Sequence, residues 1–126
     1  MSRHALRTVA SYPAIVGQVL CELRRKSGRD QSDLADAVGV TQSTWSRIEA
    51  GTSALTIEQL AVAASTLGVK TSEILQLTDQ SVEELQNKGV EIEDKRISGG
   101  LDKGLVILGA AAIGGLIAAL LMKKKG

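Results

Sequence analysis

The sequence predicts an all-α protein built of five short helices, a flexible acidic linker and a single C-terminal hydrophobic helix. Three observations predict it. Apolar residues recur at helical spacing between Pro13 and Leu77, threonine or aspartate caps and glycine exits bound these stretches, and Leu105 to Met122 carries no charged or hydrogen-bonding side chain. A chain of 126 residues has room for one compact domain and something added to it.

The first helix starts at Pro13, a residue suited to a first helical position. Ile15, Val16, Val19, Leu20 and Leu23 then repeat on one face until Gly28. Asp30 can cap a second helix, "QSDLADAV", with Leu34, Ala35 and Val38 facing inward and Gly39 supplying a left-handed exit. Thr41 caps the third, "QSTWSRIE". Its Trp45 and Ile48 point one way while Gln42, Ser43, Ser46 and Arg47 point the other, and Gly51 closes it. Thr56 with Gln59 makes a capping box before the fourth, and Thr71 starts a brief fifth, "SEILQL".

The division expected is an N-terminal tail over 1–12, a helical domain over 13–77, an acidic linker over 78–103, a transmembrane helix over 104–122 and a basic tail over 123–126. Within the linker, "SVEELQNKG" reads as two helical turns, "VEIEDKRI" alternates weakly like a strand, and "SGG" reads as flexible.

Charge and chemistry narrow the function. The net charge of +1 hides a basic start (Arg3, Arg7, Arg24, Arg25, Lys26, Arg29) and an acidic middle (Asp79, Glu83, Glu84, Glu91, Glu93, Asp94), so the N-terminal half is the one suited to phosphate. One cysteine, Cys21, and one histidine, His4, give no disulfide, no metal-ligand cluster and no nucleophile–base pair. No enzymatic activity, cofactor or metal is therefore expected. No apolar run of signal-peptide length precedes Pro13, so the N-terminal part is expected in the cytoplasm.

Two short helices joined by "GVT", the second exposing polar residues at its first turn, suit a recognition helix lying in the major groove. The segments "LRRKSGRDQSDLADAVGVTQSTWSRIEAG" and "TIEQLAVAASTLGV" resemble the phage-repressor-like helix-turn-helix family, the Cro/repressor and xenobiotic-response-element class, over residues 13 to 77. The resemblance implies a five-helix domain and a sequence-specific regulator of transcription that binds double-stranded DNA. It also implies roles: Gln31 touches phosphate and braces Gln42, Gln42 pairs with an adenine edge, and Ser43, Thr44 and Arg47 add base or backbone contacts. Arg24 and Glu49 match the family's structural pair between helices one and three. Arg29 departs from the family, standing where relatives usually have an apolar residue. The mild charge predicts weak, salt-sensitive binding by a monomer and hence a homodimer or higher oligomer.

The apolar terminus is just long enough to cross the roughly 30 Å hydrocarbon layer at about 1.5 Å per residue. It predicts a single-pass anchor in the cell inner membrane, with the N-terminal domain cytoplasmic, Lys123 to Lys125 at the head groups and the lipid bilayer as a partner. The rows Ala110, Gly114, Ala118 and Ala111, Gly115, Ala119 suit close helix–helix approach in lipid. Two alternatives from other classes remain open. One is a membrane-anchored adaptor whose helix-turn-helix domain recruits a cytoskeletal or other cytoplasmic protein; the other is an assembly protein that packs through its apolar helix.

Overall fold

A computed structural model describes residues 7–97 and 105–125. The elements are β1 (Arg7–Ser11), α1 (Tyr12–Lys26), α2 (Gln31–Val38), α3 (Gln42–Ala50), α4 (Ile57–Leu67), α5 (Thr71–Asn87), β2 (Glu91–Glu93), β3 (Leu105–Ile107) and α6 (Ala110–Lys125). The helical domain forms where the caps place it. Asp30, Thr41 and Thr56 each accept a hydrogen bond from the backbone N–H three residues on, at 3.0, 3.1 and 3.0 Å.

The all-α expectation is overturned by a three-stranded sheet in the order β2-β1-β3, both pairings parallel. Residues 7–11, expected as tail, are its central strand: Val9 lies opposite Glu91 and Ile107, and Ala10 opposite Ile92. Val9 and Ala10 are both buried, so consecutive side chains are covered on opposite faces, as a central strand in parallel pairing requires. Ser11 ends the strand and caps α1 in one step, its Oγ accepting from Ala14 N at 3.1 Å. Residues 1–6 of the expected tail lie outside the described residues.

The flexible linker is corrected as well. Helix α5 does not stop at Leu77 but runs on to Asn87, burying Thr78, Ser81 and Leu85. The two hydroxyls that look like a polar boundary bond back to the carbonyls of Ile74 and Leu77 at 2.8 and 2.7 Å, which lets them sit in the core. Beyond it, Glu91–Glu93 is held in register as β2. The "SGG" stretch, expected as flexible, lies outside the described residues.

The membrane helix and the single-pass inner-membrane placement are overturned too. Among the described residues no helix is long and apolar enough to cross a membrane. The uncharged run is divided: Leu105–Ile107 is a strand paired to β1, and the helix begins only at Ala110. At about 1.5 Å per residue, its 16 residues span roughly 24 Å, and the last of them are lysines. Its inner stripe is taken by the chain itself, since α6 packs on α1 and α5 with Ile113 and Ile117 buried in the common core. Each such side chain contributes about 1.5 to 3 kcal/mol of burial. Of the two small-residue rows, Gly114 packs against α1, where a Cβ would come within 3.0 Å of Gln18 Oε1 and Glu22 Oε2, while Ala111, Gly115 and Ala119 are exposed.

Candidate nucleic-acid interface

Helices α2 and α3 meet through a short connection that glycine makes feasible: Gly39 takes φ +87 at the end of α2. At the other end of α3, Gly51 has φ +80, and a Cβ there would fall against Ala14 of α1, so both conformation and space demand glycine. Helix α3 is fixed from behind. Trp45 and Ile48 are buried in the core, and Gln18 of α1 donates from Nε2 to the Glu49 carbonyl at 2.9 Å.

Glu49, only 3% exposed, is the knot of three helices. Its Oε2 accepts from Arg24 Nε at 2.7 Å and from Trp45 Nε1 at 2.7 Å; its Oε1 accepts from Arg24 Nη2 at 3.0 Å and from Gln31 Nε2 at 2.9 Å. Burial pushes the carboxyl up. The hydrogen bonds from Arg24, Gln31 and Trp45, with the Arg24 charge, outweigh it and hold Glu49 below the usual glutamate value. Arg24 in turn is raised, first by its bond to Glu49, and its Nη1 donates to the Arg29 carbonyl at 3.0 Å, tying α1 to the approach of α2.

The opposite face of α3 is open. Gln42, Ser43, Ser46 and Arg47 are exposed and Thr44 is half-buried. Arg47 reaches back along the helix, donating from Nη1 to Ser43 Oγ at 2.8 Å and from Nη2 to Thr44 Oγ1 at 3.2 Å. The Thr44 hydroxyl also accepts from Thr41 Oγ1 at 3.0 Å. The guanidinium thereby lies over the first turns of α3 with N–H donors left over.

Gln31 stands at the start of α2, half-buried, with its amide nitrogen on Glu49. The brace expected between Gln31 and Gln42 is absent among the described residues; the ionised carboxylate is the stronger acceptor and takes the amide. One contributor escaped the sequence reading. Gln18 is 7% exposed, and its position between Ile15 and Val19 on the inward face of α1 is the signal that marks it as a buried polar group with a set partner. Exposed cations near α2 are Arg25, Lys26 and Arg29; Asp33 and Asp36 face solvent from α2 itself.

Residues 15–77, half of the chain, match the family described as "Helix-turn-helix domain". The crystal structure of the clp gene regulator ClgR from Corynebacterium glutamicum is similar, with a TM-score of 0.57 and 24% identity, covering 61% of this chain and 84% of that one. At that identity the likeness is one of fold. No curated protein matches the chain.

Proposed function

The chain belongs to the helix-turn-helix domain family, and from that premise we propose that it is a non-enzymatic, sequence-specific DNA-binding regulator of transcription. One observation carries this reading: α3 is anchored through Trp45, Ile48 and Glu49 while it presents Gln42, Ser43 and a tethered Arg47 to solvent. Gln42 pairs with a base edge, Arg47 with a base edge or phosphate, Ser43 and Thr44 orient Arg47, and Gln31 meets the backbone at the start of α2. The structural similarity to ClgR, a clp gene regulator, points the same way.

Selection from random duplexes tests it. The parent protein is expected to enrich one motif, and Gln42→Ala with Arg47→Ala to lose that enrichment while still melting cooperatively. An enrichment profile shared by parent and variant overturns the assignment.

Binding as a homodimer belongs to the same reading. The outer face of α4 exposes Ile57 (77%) and Val62 (41%) on either side of the exposed Glu58, apolar positions suited to a second copy. Sedimentation of the parent as a dimer and of Ile57→Glu as a monomer is the expected result; equal behaviour of the two rejects this surface.

A further inference from the structure

Beneath the segment that joins α3 to α4, and against the first turns of α1, lies a partly open cavity of about 240 Å³. Its walls are apolar, drawn from Val16, Ile48, Leu60 and Leu75, and Ala54 lines it from the connecting segment. The one formally charged residue in the lining is Arg96, from the segment that follows β2. Among the described residues Arg96 has no ion-pair partner, and no carboxylate lines the cavity. Tyr12 also lines it, and its hydroxyl donates to Asp79 Oδ1 at 2.7 Å.

The cavity opens to solvent, so an apolar group that enters it takes its own surface and that of the walls out of water. A cation at the edge of such a space selects the charge of the group that follows the apolar part in. We propose that this cavity binds a small amphipathic carboxylate, with its hydrocarbon among Val16, Ile48 and Leu75 and its carboxylate on the Arg96 guanidinium. The volume lies just under the range of about 300 to 1,000 Å³ for drug-sized ligands, which sets the ligand at fragment size, on the order of ten non-hydrogen atoms. Ile48 belongs to α3, so occupancy bears on the helix assigned to DNA; this consequence, unlike the binding itself, rests on the reading above.

The test is calorimetric titration of the full chain with sodium octanoate and, separately, with 1-octanol, neither of which involves DNA. Saturable binding of octanoate is expected. Arg96→Ala, at an exposed position, is expected to weaken octanoate roughly tenfold or more, the scale of a charge-assisted contact, and to leave 1-octanol unchanged. Ala54→Phe, also at an exposed position, is expected to weaken both by narrowing the cavity. Absence of saturable octanoate binding into the millimolar range overturns the proposal, as does an Arg96→Ala or Ala54→Phe protein that binds octanoate like the parent. Loss of DNA selectivity with octanoate binding intact would overturn only the DNA reading.

Discussion

Replacing Glu49 with alanine removes one carboxylate and strands the donors of three residues at once. Arg24 keeps its charge with a side chain only 9% exposed, Trp45 Nε1 is left in the core, and Gln31 loses its anchor. Removing one partner of a buried ion pair costs about 3 to 5 kcal/mol, and an unpartnered buried N–H about 1 to 3. The two penalties share one cause and do not add, so the expected loss is about 4 kcal/mol, against a usual total of about 5 to 15 for a small domain. Urea unfolding followed by Trp45, the single tryptophan, measures it. The diagnostic comparison is Arg24→Met with Glu49→Leu, which removes both charges and is expected to cost less than Glu49→Ala alone. A single-variant loss under about 1 kcal/mol, or a double variant less stable than the single, would refute a buried charge held by its partner.

Because Glu49 is depressed below its ordinary value of 4.5, its contribution is present above that pH and is lost as pH falls through the lower folded value; Glu49→Gln should flatten that acid limb. Tyr12 shows the opposite sign. Burial, then the hydrogen bond and charge of Asp79, push it from 10.0 to about 12, so its contribution is complete below pH 10.0 and is lost as pH rises through about 12. Spectroscopic titration of this single tyrosine should show the late ionisation, and Asp79→Asn should bring it down. Gly17→Ala should destabilise by about 1 to 3 kcal/mol, because a Cβ there lies 2.5 Å from the Glu49 carbonyl oxygen and forces α1 from α3; an unchanged melting temperature would count against this contact. Ile117→Ala should cost about 2 to 5 kcal/mol if α6 is part of the core, whereas a surface-like loss under about 0.5 kcal/mol would show that it is not.

The helical domain was legible because its signals are local. Asp30, Thr41 and Thr56 bond to backbone three residues away, and Gly39 and Gly51 answer to their own φ angles, so neither needs knowledge of the rest of the chain. The inward set of α3 was legible for the same reason: helical spacing separates Trp45 and Ile48 from Gln42, Ser43 and Arg47.

What distance in sequence conceals, tertiary structure decided. Strand β1 finds partners in β2 and β3, more than eighty residues away, and nothing in "RTVAS" names them. Thr78 and Ser81 look like the end of a helix until their hydroxyls are seen on the carbonyls of Ile74 and Leu77. The amide of Gln31 went to Glu49 because folding places an ionised acceptor within reach. Above all, hydrophobicity states that a segment leaves water but not where it goes. Ile113 and Ile117 are equally apolar facing lipid or facing α1, and only the assembled core, with Leu105–Ile107 drawn off into a strand, assigns them to the protein's own interior.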